Sequence, residues 1–119
     1  MGDHARARAS HVLIKHRESR NPTSRLDASG DIIRGRTKSA AIEELLAHRE
    51  HIASGRCAFE DVATRVSDCS SGKRGGDLGE FGRGQMQKPF EDATFALAVG
   101  EMSGVVDTDS GVHVILRTG

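Results

Sequence analysis

The sequence has no tryptophan, no tyrosine and only four phenylalanines. Proteins that bind single-stranded nucleic acid commonly stack bases on aromatic faces, so this shortage argues against such a platform. The lone Arg74-Gly75-Gly76 is too short for an RGG tract. Cysteine is scarce as well. Cys57 and Cys69 lie twelve residues apart, which is neither a CxxC redox pair nor a zinc pair, and both are read as free thiols of a reducing compartment. Asn21-Pro22-Thr23 is excluded as a glycosylation site by its central proline. No run of about 18 apolar residues exists, so no transmembrane helix is expected. The opening Met1-Gly2-Asp3-His4-Ala5-Arg6 lacks the apolar core of a signal peptide, and Arg6 stands where a myristoylation pattern wants Ser or Thr. These absences lead to the expectation of a cytoplasmic and nuclear protein that does not engage membranes.

The chain has 119 residues, enough for one compact domain, with 36% hydrophobic and 29% charged residues. Net charge is zero but unevenly spread. Residues 1–38 carry nine basic and four acidic side chains, a net of +5, whereas residues 89–119 carry one basic and five acidic, a net of −4. The basic end suits an anion, although scattered charges more often form an ordinary solvated surface.

Apolar spacing orders the chain. Ala9–Lys15 reads as a strand, with Ala9, His11 and Leu13 on one face and Val12 and Ile14 on the other. Residues 16–36 read as an irregular loop with turn signals at Asn21-Pro22 and Ser29-Gly30. A loop of about 20 residues inside a small domain is usually functional or disordered. Lys38–Ser54 reads as a helix capped by Thr37, with Ile42, Leu45, Leu46 and Ile52 as its apolar stripe and Gly55 as its stop. Phe59, Val62, Ala63 and Val66 follow helical spacing. Pro89 marks the first position of another helix, which Gly100 closes. Leu78–Phe81 suggests a short strand. Gly104–Thr108 and Val112–Leu116 form a hairpin about a turn at Asp109-Ser110-Gly111. The order predicts an α+β domain, residues 7–119, with about four helices on a mostly antiparallel sheet, preceded by a flexible arm at residues 1–6.

The densest signal is residues 67–90. Six glycines fall within positions 72–84, followed by Met86, Pro89 and Phe90. Such a run lets backbone approach backbone or ligand, and the apolar cluster after it suggests a small pocket with Cys69 at its mouth. Gly82-Arg83-Gly84-Gln85-Met86-Gln87 begins like a dinucleotide fingerprint but has Gln87 where the third glycine belongs. If the first and last strands pair centrally, His11 and His113 share a face. With Cys69 they admit three readings: a cysteine hydrolase, a Cys/His metal site, or a hydrogen-bonded pair shaping a binding pocket. The metal reading is the weakest, since no second ligand lies within a few residues of any of the three.

Taken together, Ser10-His-Val-Leu-Ile-Lys-His16, Val66-Ser-Asp-Cys-Ser-Ser71, Gly76-Asp-Leu-Gly79, Gly82–Glu91, Gly100-Glu-Met-Ser103 and Thr108-Asp-Ser-Gly-Val-His113 resemble the parvulin family of peptidyl-prolyl cis/trans isomerases, and specifically its Pin-type branch. The likeness covers about residues 7–118. It implies an FKBP-like four-stranded fold without a WW module, and rotation about phosphoSer/phosphoThr-Pro bonds in phosphoproteins. It implies no cofactor, no metal, no nucleic-acid partner and a monomer. By the same resemblance Leu78, Met86 and Phe90 correspond to the pocket for the substrate proline. His11, Cys69, Ser110 and His113 correspond to the polar catalytic floor, Gln87 and Thr108 to its rim, and Lys15 and Arg20 to the phosphate-binding residues, with Arg17 as a further cation. The branch commonly carries a second arginine after the first, where this chain has Asn21, and Arg17 and Arg25 are extra basic residues of the same loop. A phosphoSer/Thr-Pro binding module with little catalysis and a Cys-His hydrolase are the alternative functions.

Overall fold

The computed structural model describes residues 5–119; residues 1–4 of the expected flexible arm lie outside the described residues. Strand β1 spans Arg6–Ile14 and so starts inside that arm and ahead of the strand expected from Ala9. Its first half is carried by Ala7 and Ala9, which are buried, and alanine gives little strand signal. The intervening Arg6 and Arg8 reach the neighbouring strand β2 (Asp77–Gly82) and pair with Glu80 at 2.5 Å and Asp77 at 2.6 Å.

Two more strands, β3 (Val106–Thr108) and β4 (Gly111–Arg117), complete one antiparallel sheet in the order β2-β1-β4-β3. The central strands β1 and β4 are buried on both faces, which is why Ser10–Ile14 shows no alternation of exposure. Val12, Ile14, Val112 and Val114 pack against helices α2 (Lys38–Ala53) and α3 (Phe59–Val66) through Ala41, Leu45, Phe59, Val62 and Ala63. Ala7, Ala9 and Ile115 face the other way, against Phe81 and Phe90, the latter from helix α4 (Lys88–Ala96).

Local chemistry accounts for most boundaries. The Thr37 hydroxyl accepts the Ala40 N–H at 3.1 Å and caps the start of α2 as expected. The apolar stripe of that helix differs from the expectation: Ala41 and Leu45 form its buried line, and Leu46 is 46% exposed. Leu46 lies about 100° around the helix from Leu45, beyond the edge of the contact face. Gln87 takes the N-cap of α4, so Pro89 is its second helical residue, and the helix ends at Ala96 ahead of Gly100. Strand β3 begins two residues later than expected because Ser103 holds the chain first. Its N–H donates to the Ile115 carbonyl at 2.7 Å and its hydroxyl accepts the Ile115 N–H at 2.8 Å.

Residues 16–36 are more organised than a loop reading allows. They contain a one-turn helix α1 (Asp31–Arg34) with Ile33 buried, and Asp27 Oδ2 accepts the Ile33 N–H at 2.9 Å. The Arg20 N–H donates to the Asp109 carbonyl at 2.7 Å, and Arg36 Nη1 donates to the Lys15 carbonyl at 2.8 Å. Part of this order comes from partners far off in sequence, such as Asp109, which no local pattern reports. Gly76 brings β1 close to the Gly-rich run. It has φ of 88°, its carbonyl accepts the His11 N–H at 3.0 Å, and a Cβ there would sit 2.5 Å from the His11 carbonyl oxygen. Only glycine fits that conformation and approach.

Candidate active site

The register of the two central strands opposes Leu13 to His113 and His11 to Ile115, which makes the two histidines diagonal neighbours on one face. Their Nδ1 atoms are 2.9 Å apart and the rings stack with centroids at 5.2 Å. Both are buried. Phe90 from α4 meets each ring edge-on, with centroids 5.5 Å from His11 and 5.2 Å from His113. Beyond His113, its Nε2 lies 2.7 Å from the Thr108 hydroxyl, which also accepts the Ser110 N–H at 3.1 Å.

Burial, and then the neighbouring His11, lower the His113 pKa from 6.5 to about 3. His113 is therefore neutral near pH 7 and carries one proton for two hydrogen bonds. With that proton on Nε2, His113 donates to the Thr108 hydroxyl and accepts from His11 at Nδ1. His11 Nε2 is buried, makes no other hydrogen bond and is left for the Cys69 sulfur.

Cys69 precedes a 3₁₀ turn (Ser70–Arg74). Burial pushes its thiol up, but the hydrogen bond and charge of His11, then the Ser71 hydroxyl and backbone N–H, outweigh this and bring the pKa from 9.0 to about 6. A thiolate predominates at neutral pH.

These groups line a cleft of about 170 Å³ with Leu78, Met86, Gln87, Phe90 and Ser110. Gln87 Nε2 donates to Ser110 Oγ at 2.8 Å, tying the start of α4 to the β3–β4 turn across the cleft. A second cavity of about 400 Å³ adjoins it, and Leu13, Cys69 and Ser110 line both. Its other walls include Lys15, Arg20, Asn21, Arg25 and Asp68. One cavity is apolar and the other basic, and Leu13, Cys69 and Ser110 lie where they meet.

Most residues singled out from the sequence thus stand together, with two exceptions. Arg17 is exposed and lines neither cavity, because its N–H pairs with the Arg36 carbonyl on the far part of the loop. Thr108 is buried behind His113 instead of lying on the rim. Leu13 and Asp68 were not singled out. Leu13 was legible, since it shares the His11 face of β1. Asp68 was not: its carboxylate accepts the Lys15 N–H and the Ser24 hydroxyl, both at 2.8 Å, across more than 40 residues of sequence.

Both shifted groups make stability fall as pH drops, in successive windows. Between about pH 6.5 and 3 the unfolded chain protonates His113 while the folded chain does not, so stability falls as pH drops through that window. The depressed Cys69 thiol contributes stability that is full above pH 9 and gone below about 6. Urea titrations at pH 6.5 and pH 4 are expected to show a loss on the order of 3 kcal/mol from His113. A His113→Asn variant should start less stable and lose less over the same window; an unchanged slope would remove His113 as the source.

A family model described as a rotamase, PPIC-type PPIase domain, matches residues 11–119. Peptidyl-prolyl cis-trans isomerase Pin1 of Arabidopsis thaliana is 62% identical over 118 residues, spanning 99% of both chains. Pin1 of Malus domestica is 64% identical over 112 residues, covering 94% of this chain and 93% of the relative. Among solved structures, the peptidyl-prolyl isomerase ESS1 from Candida albicans superposes with a TM-score of 0.93 at 47% identity, over 100% of this chain and 66% of that one.

Proposed function

The chain belongs to the parvulin family of PPIC-type peptidyl-prolyl cis/trans isomerases, and from that premise we propose that it acts on phosphoSer-Pro and phosphoThr-Pro bonds, with His11, Cys69, Ser110 and His113 as its catalytic floor. The observation that carries the proposal is the junction of the two cavities. A ring in the apolar cleft and an anion in the basic one are bridged by a single peptide bond lying over Cys69.

The reaction asks for little more. Amide resonance opposes rotation with a barrier of about 18–20 kcal/mol, and uncatalysed exchange takes roughly 10–100 s. Reaching about 100 s⁻¹ requires a 10³–10⁴-fold gain, or about 4–5.5 kcal/mol. No bond breaks, so Cys69 need not attack. The cleft of Leu78, Met86 and Phe90 clamps the proline, and Lys15 and Arg20 hold a phosphate of about −1.5 to −2 charges. With both ends held, the carbonyl turns against the thiolate. A planar amide has a more negative oxygen than a twisted one, so a nearby negative sulfur disfavours the planar ground state relative to the transition state.

Matched peptides with phosphoThr-Pro, Glu-Pro and Ala-Pro test this in a protease-coupled assay. The expected order of kcat/KM is phosphoThr over Glu over Ala, with the first and last separated by about 10²-fold or more. Equal rates on all three would refute the phosphate preference. Tight binding of the phosphopeptide without acceleration would reduce the protein to a binding module, and release of a cleaved product would make it a hydrolase.

A further inference from the structure

Resting on the phosphate reading above, we propose that Arg25 supplies the second guanidinium of the phosphate subsite, contacting the phosphoryl group from the wall of the basic cavity. Neither Lys15 nor Asn21 fills that role fully. Lys15 Nζ spends two of its three N–H groups on the Asn21 and Thr23 carbonyls, at 2.9 and 2.7 Å, and Asn21 is uncharged.

Arg25 is held ready instead. Its Nε donates to the Ser67 and Cys69 carbonyls at 3.1 and 3.2 Å, and its Nη2 donates to the Ala63 and Thr64 carbonyls at 3.0 and 2.6 Å. Those bonds fix the plane of the guanidinium against the end of α3. They leave both N–H groups of Nη1 without a hydrogen bond among the described residues. No carboxylate pairs with Arg25 among those residues either. The one acid lining the cavity, Asp68, is already engaged by Lys15 N–H and Ser24, with Arg36 Nη1 at 3.6 Å. The guanidinium of Arg25 is therefore oriented and half-buried, with no carboxylate hydrogen-bonded to it among the described residues, and it lines the same cavity as Arg20. Gly72 makes room for it: a Cβ there would collide with Arg25 Nη2 and lie 2.7 Å from its Cζ. A planar fork can bind carbonyls with one edge and phosphate with the other, which a lysine cannot do.

The same hydrogen bonds give Arg25 a structural duty, so the test must separate the two. The three-peptide panel is run on the unaltered protein, Arg20→Gln, Arg25→Gln and Arg25→Lys. Arg25→Gln is expected to cut the phosphoThr-Pro over Ala-Pro ratio of kcat/KM by about tenfold, mostly through KM, and to flatten its salt dependence. Arg25→Lys should restore part of the ratio. Rates that fall equally on all peptides, with the ratio kept, would overturn the proposal and leave Arg25 a structural tie. A preference lost in Arg20→Gln but kept in Arg25→Gln would overturn it alone, whereas no preference in the unaltered protein would overturn the phosphate reading with it. Should Arg25→Gln not fold, arginine side-chain NMR of the unaltered protein decides. Titration with the phosphoThr-Pro peptide should move the Arg25 Nε signal together with that of Arg20, and a still Arg25 signal refutes the assignment.

Discussion

Replacing Cys69 by alanine is expected to lower kcat/KM for a phosphoThr-Pro peptide by about 10²-fold, while Cys69→Asp stays within about tenfold of the unaltered protein. A 10²-fold loss is about 2.7 kcal/mol, roughly half of the catalysis the reaction requires. The thiol is held near pKa 6 by His11 and Ser71 against the opposing pull of burial, so the site spends part of its structure on keeping a negative sulfur beside the carbonyl. Aspartate preserves that charge and cannot form a thioester-like adduct. If Cys69→Asp were as inactive as Cys69→Ala, covalent attack by sulfur would return as the mechanism, and a fully active alanine variant would remove Cys69 from it. The companion pH profile is best taken on the Ala-Pro peptide, since phosphate itself titrates near pH 6. Activity should fall as pH drops through about 6, and Cys69→Asp should be flat there.

Phe90→Ala is expected to have the other large effect, on stability and activity together. Phe90 is 4% exposed and packs on Phe81 with ring centroids at 6.3 Å, while its ring edges wall both histidines. Truncation should cost about 3–5 kcal/mol, a large share of the 5–15 kcal/mol typical of a domain. It also opens the floor of the proline cleft, so kcat/KM should fall by more than 10²-fold even where the protein remains folded. Met86→Ala separates the two consequences. Met86 lines the same cleft but is only half-buried, so the variant should lose activity, about tenfold, with a Tm near that of the unaltered chain. Equal loss of Tm in both variants would mean that the cleft is chiefly core.

The parts of this arrangement that were legible in the sequence are those governed by short-range rules. Thr37 as a cap, the helical spacing from Phe59 to Val66, and the period-two alternation that puts His11 and Leu13 on one face all follow from local geometry. The pairing of His11 with His113 needed one further assumption, that the first and last strands are neighbours in the sheet. What stayed hidden depends on partners distant in sequence. The start of β1 at Arg6 rests on its pairing with β2, Arg6 opposite Gly82 and buried Ala7 opposite Phe81. The order within residues 16–36 rests on Asp68, Asp109 and the carbonyls that Arg25 reaches at the end of α3. The sequence reading favours Arg17 over Arg25 as the further phosphate cation, whereas the fold places Arg17 outside the cavities and Arg25 in a wall.

The most direct test of the account is exchange spectroscopy by NMR on a phosphoThr-Pro peptide with a catalytic amount of protein. Uncatalysed exchange, at roughly 10–100 s, is silent over mixing times of about a second. The account requires cis–trans cross-peaks to appear when the protein is added, stronger for phosphoThr-Pro than for the matched Glu-Pro peptide and weakest for Ala-Pro. Phosphopeptide signals that broaden on binding while no cross-peaks grow, or cross-peaks of equal strength for all three peptides, would contradict it.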